Sequence, residues 1–89
     1  MKDSYLAVTF RRGRAIAAYL YLPRLAGEKS RRTARVEPGL IIDFAPAGKP
    51  IGIEITAPGQ VSISTLNKVL RDLGLSELKS EDLAPLCAA

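Results

Sequence analysis

Asp43 and Glu54 are the two residues of this chain whose type and spacing come nearest to chemistry. They flank an Ala/Pro/Gly/Lys turn within residues 39–56, GLIIDFAPAGKPIGIEIT. In a hairpin that sets Phe44 against Ile51, both carboxylates fall on one face as diagonal neighbours. A pair of that kind can act as acid and base or hold a metal. Its plainer role is to answer strand arginines, or in the case of Glu54 to hold a turn. The chain has no histidine, and metal centres normally recruit more than two ligands. No catalytic residue, no metal site and no cofactor is therefore assigned, and an enzyme is not expected. Ser62, Ser64 and Thr65 have no base partner to make a nucleophile. Cys87, the one cysteine, reads as an inert tail thiol suited to a reducing compartment. Gly13, Gly27, Gly39 and Gly48 each serve a turn, and their spacing cradles no phosphate.

The second constellation is basic. Arg11, Arg12, Arg14, Arg31, Arg32 and Arg35 could form a phosphate-binding patch, with Tyr19 and Tyr21 stacking on bases. Their plainer role is edge charge that keeps strands from aggregating. The net charge is only +4, but it divides sharply: residues 1–36 carry +7 and residues 37–89 carry −3. That division suits a nucleic-acid surface, or two halves that attract each other within or between chains.

The elements that must position these side chains are mostly strands. Tyr5–Phe10 alternates, with Leu6, Val8 and Phe10 on one side. A turn at 11–14 leads to Ala15–Leu22, where Ile16, Leu20 and Leu22 share a face opposite Tyr19 and Tyr21. Pro23 ends that run, and a polar loop follows at 24–29. Ser30–Glu37 reads as a charged edge strand that places Val36 on the apolar side. After Pro38-Gly39, Leu40, Ile42 and Phe44 face the core, and then Ile51, Ile53 and Ile55. This last run is the clearest two-residue period in the chain. Pro58-Gly59 stops the sheet, and Val61-Ser62-Ile63 suggests a short extended piece. Ser64 or Thr65 suits a helix N-cap, and Leu66, Val69, Leu70 and Leu73 make one apolar stripe. Gly74 fits the helix end, and Ser80–Leu83 suggests a second short helical turn.

The expected architecture is α+β: an antiparallel meander of about five strands, one face covered by a C-terminal helix at 65–73. At 89 residues one domain is expected, with sheet at 1–59 and a helical segment at 60–89. A chain this small buries only about 60–65% of its unfolded surface, and one cysteine cannot staple it internally. Burial against another chain is the natural supplement. Tyr5, Tyr19, Tyr21 and Ile41 share the face opposite the core, which is too apolar for full solvation. Either the C-terminal segment wraps over it or another chain covers it. A homodimer that packs sheets or pairs edge strands is the favoured expectation. No membrane span and no export signal are expected, because Arg11, Arg12 and Arg14 interrupt the first apolar run.

The hairpin residues also carry a resemblance. Tyr19-Leu20-Tyr21-Leu22, Ala34-Arg35-Val36, Ile42-Asp43-Phe44, Gly48 and Gly52-Ile53-Glu54-Ile55 resemble a family of small bacterial domains, domain-of-unknown-function family 2283. The likeness runs over roughly residues 5–75, and TLNKVLRDLGL resembles the helix that many members carry. Two features depart from the pattern: Ile16-Ala17-Ala18 where members have an Asp-Ala pair, and an Arg-Arg-Gly-Arg turn where acids are usual. The resemblance implies this fold and a bacterial, cytoplasmic setting. It also implies a partner role, since some members sit beside small toxin-like proteins, and it carries over no catalytic residue. The function expected is a non-enzymatic interaction module, homodimeric and in one form antitoxin-like. The alternative is nucleic-acid binding through the arginines.

Overall fold

The computed structural model describes residues 5–23, 30–79 and 81. Its strands are β1 (Tyr5–Arg11), β2 (Arg14–Tyr21), β3 (Arg32–Glu37), β4 (Leu40–Phe44) and β5 (Pro50–Ile55). A 3-10 turn at Pro58–Gln60 and a helix, α1 (Ile63–Asp72), follow. The α+β class, the five antiparallel strands and the C-terminal helix all agree with the sequence. The loop at 24–29, Cys87 and all but residue 81 of the second helical turn lie outside the described residues.

The strands are arranged β1-β2-β5-β4-β3, every pairing antiparallel. Three of the four pairings are sequential hairpins. The fourth is not: β2 lies beside β5, where a plain meander sets it beside β3. Strands β2 to β5 thus form a Greek key, to which β1 adds a hairpin edge. The reason lies in β5. Ile51, Gly52, Ile53 and Ile55 are all buried, so this strand needs a neighbour on both sides. The arginine-bearing β3 tolerates an edge and takes one.

Turn chemistry fixes the hairpins. Arg12 (φ 53°) and Gly13 (φ 79°) make a two-residue turn between Arg11 and Arg14, the primed geometry that matches strand twist. Pro38 and Gly39 close the β3–β4 hairpin, with proline leading and glycine at φ 84°.

Register places the side chains in rows. Leu6, Leu20, Ile53, Ile42 and Ala34 line up across one face, beside Val8, Ala18, Ile55 and Leu40. Helix α1 lays Leu66, Val69 and Leu70 on these rows and completes the core. Three residues expected there are exposed: Phe10 at 48%, Ile16 at 46% and Val36 at 42%. Each sits at a register shift, between Thr9 and Phe10 against β2 or between Arg35 and Glu37 against β4. The alternation that would have turned them inward breaks at those points.

The helix begins earlier than its expected cap. Ser62, in extended conformation, accepts from the Thr65 backbone N–H through its side chain, so Ile63 is helical rather than extended. At the other end the Gly74 N–H donates to Arg71 O at 2.9 Å and the Leu75 N–H to Leu70 O at 2.8 Å. With Gly74 at φ 75°, this is a Schellman ending that turns the chain back toward the core.

Asn67 then holds that returning segment. Its Nδ2 donates to Leu78 O at 3.1 Å, and its Oδ1 accepts from the Leu78 N–H at 2.7 Å. Leu78 can therefore join the core without orphaning its backbone groups. Asn67→Ala removes both partners and should lower stability by about 2 kcal/mol in urea unfolding. Asn67→Asp keeps an acceptor for the N–H but sets a carboxylate oxygen against the Leu78 carbonyl in a buried site, so it should cost at least as much as Asn67→Ala.

Candidate functional site

The face of the sheet turned away from α1 carries two further rows. Tyr5, Tyr21, Gly52, Asp43 and Thr33 form one; Ala7, Tyr19, Glu54, Ile41 and Arg35 form the other. The four residues expected to make an apolar outer surface, Tyr5, Tyr19, Tyr21 and Ile41, thus do share that face. Asp43 and Glu54 share it too, in adjacent rows, with Asp43 opposite Gly52 and Glu54 opposite Ile41.

The tyrosines form a continuous aromatic band. The Tyr5 and Tyr21 rings stack, with centroids 4.4 Å apart and planes 14° from parallel. Tyr21 and Tyr19 meet at 4.6 Å with a tilt of 53°. Offset stacking and tilted contacts are the favourable arrangements for aromatic quadrupoles. The band runs from the β1 edge, where Tyr5 is 60% exposed, toward the sheet centre.

At its inner end the band is locked. The Tyr19 ring lies over Gly52, so close that a Cβ at Gly52 would run into it. Its hydroxyl donates to Asp43 Oδ2 at 2.5 Å, the length expected for an O–H donor on a carboxylate. One side chain therefore crosses from β2 over β5 to β4. Asp43 is only 6% exposed, and this hydrogen bond gives its carboxylate a partner in place of the water it has lost. The sequence showed the alternation that brings these residues to one face. It gave no sign of the diagonal reach of Tyr19. The signal available was Gly52 itself, a glycine inside a strand, which often marks a close approach.

The lock changes the reading of Asp43. Its expected partner was an arginine or Glu54; its observed partner is a phenol two strands away. Among the described residues no group of three or more His, Cys, Asp or Glu is placed to hold a metal ion. Ser62 is likewise engaged, lying 2.9 Å from Thr65 Oγ1 and 3.1 Å from Ser64 Oγ at the helix start.

The arginines are not brought together. Arg11, Arg12 and Arg14 lie at the β1–β2 turn, on one edge of the sheet. Arg31, Arg32 and Arg35 lie on or beside β3, at the opposite edge. Because the β1–β2 turn lies at the β5 end and Arg32 pairs with Phe44 near the β5 start, Arg11–Arg14 and Arg31–Arg32 occupy diagonal corners. Within β3 the side chains diverge further. The Arg32 guanidinium lies 4.2 Å from the centre of the Phe44 ring, a cation–π contact on the core side, whereas Arg35 ends an outer row.

The fold defines a small α+β domain built on a four-strand Greek key. Within it, residues 17–57 match the model of a family described as Protein of unknown function (DUF2283), the family that the hairpin residues resemble. The matched segment is narrower than the likeness read from sequence. It runs from the middle of β2 through β5 and includes Tyr19, Asp43 and Gly52, and it leaves β1 and α1 outside. No curated protein and no solved structure matches the chain significantly. Among the described residues no helix is long and apolar enough to cross a membrane.

The lock makes a sharp prediction about non-additivity. Gly52→Ala must displace the Tyr19 ring and should cost about 2–3 kcal/mol, in the range of overpacked sites. In a Tyr19→Ala background the same substitution should cost well under half as much, since the obstacle is gone. Thermal or urea unfolding of the four proteins measures the coupling. Equal costs in both backgrounds would show that the ring does not lie over Gly52.

Proposed function

We propose that this domain is a non-enzymatic protein-interaction module that works as a homodimer. The observation that carries this reading is the aromatic band. Tyr5 keeps 60% of its surface in solvent while stacked on Tyr21, at an edge of the sheet where a second chain can reach it. Exposed aromatics of this kind are enriched where proteins meet. The small size of the domain gives it reason to gain burial from a partner.

The state of the best-placed carboxylate supports a non-enzymatic role. Asp43 is buried and committed to the Tyr19 hydroxyl, which makes it a brace of the sheet rather than an acid or base facing a substrate. The antitoxin form of the reading, with a small toxin-like protein on the same face, draws on the family resemblance alone.

Sedimentation equilibrium tests the proposal, and a dimer at micromolar concentrations is the expected result. Tyr5→Ser should lower the unfolding stability of the monomer by only about 1 kcal/mol, the worth of its stack on Tyr21, and should also weaken the dimer. Two copies each lose an aromatic contact worth about 1 kcal/mol, which corresponds to roughly thirtyfold in the dissociation constant. A wild-type chain that stays monomeric throughout would remove the proposal.

A further inference from the structure

The two edges of the sheet are built differently. The β3 edge is guarded: Arg32 and Arg35 lie on it, and a register shift between Arg35 and Glu37 breaks its ladder. Charges and bulges of this kind are how proteins stop strand edges from pairing. The β1 edge has neither guard over its first five residues. Tyr5 to Thr9 pair with β2 in unbroken register, and no charge, proline or shift intervenes before Thr9. Among the described residues no strand pairs with the other side of β1.

From this asymmetry we propose that β1 pairs antiparallel with β1 of a second copy of this chain, continuing the two sheets into one of ten strands. The inference rests on the dimer reading above and specifies its geometry. Three considerations select a second copy as the occupant. The first is symmetry. Pairing β1 with the β3 of another copy would propagate without closing, and the guarded β3 blocks it. Pairing β1 with itself closes after two chains.

The second is the match of side chains. With the two-fold axis at Ala7, Leu6 lies opposite Val8 of the second copy on the core side. Both are only partly buried in the monomer and pack against the core cluster, so the pairing extends that cluster across the axis. On the outer side Tyr5 meets Thr9 of the other copy, an aromatic-with-β-branched pair that stabilises antiparallel sheet.

The third is charge. Antiparallel self-pairing about Ala7 leaves the two Arg11 residues eight strand positions apart, roughly 27 Å. That exceeds the Debye length of about 8–10 Å at ordinary salt, so the basic turns at 11–14 do not oppose association. A parallel pairing would set them side by side.

Ala7 is exposed, so charged substitutions there should be tolerated by the monomer. In the dimer, Ala7→Lys sets two lysines directly opposite each other, and Ala7→Glu sets two glutamates. Each variant should be monomeric in sedimentation up to about 200 µM, a concentration that would populate even a weak dimer. Circular dichroism and thermal melts report that both remain folded, and Thr9→Lys serves as a second disrupting variant if either does not. Mixing the lysine and glutamate variants should restore a one-to-one heterodimer. Monomeric variants that stay apart on mixing would overturn the register. A wild-type dimer that neither substitution weakens would overturn the edge pairing and leave the homodimer standing. A monomeric wild type would remove both.

Discussion

A single aromatic side chain ties the middle of this sheet together. Tyr19 leaves β2, passes over Gly52 of β5 and delivers its hydroxyl to Asp43 of β4. Three conditions have to hold at once. Gly52 must have no side chain, β5 must lie between β2 and β4, and the register must bring Asp43 and Tyr21 opposite Gly52. A one-residue slip of β5 would put an isoleucine under the ring and Gly52 in the core. The contact therefore requires both the Greek-key order and this register of the outer face.

That arrangement separates the two faces into different tasks. The core face is plain aliphatic packing, with Leu20, Ile53, Ile42 and Leu40 beneath the stripe of α1. Its polar exception is Asn67, which satisfies the backbone of Leu78 and so lets the segment after the helix return to the core. The outer face is aromatic and polar, with the tyrosine band on one side, Glu54 between Tyr19 and Ile41, and Arg35 at the end of that row. A buried carboxylate needs a donor, and the outer face supplies one from within the molecule.

The separation of the arginines bears on function in the same way. Six basic residues near one end of a sequence look like a patch. In the fold, β3 is separated from β2 by β5 and β4 and lies at the far edge, so the second group of arginines ends up diagonal to the first. At β3 they act locally, with Arg32 on the Phe44 ring and the charged strand as an unattractive edge. The electrostatic asymmetry between the halves of the chain therefore becomes an asymmetry between corners.

Strand positions, the face shared by Tyr5, Tyr19, Tyr21 and Ile41, the leucine stripe and the Gly74 ending were all legible in the sequence. Each is local: the two-residue and 3.6-residue periods follow from backbone geometry alone. The expected burial of Phe10, Ile16 and Val36 failed where a register shift interrupts that period, and register depends on the neighbouring strand. Which strand lies beside β2, the reach of Tyr19 across β5 and the grip of Asn67 on Leu78 were decided only by tertiary structure. These contacts join residues 11 to 37 positions apart along the chain, and only the closing of the sheet and the docking of the helix bring them together.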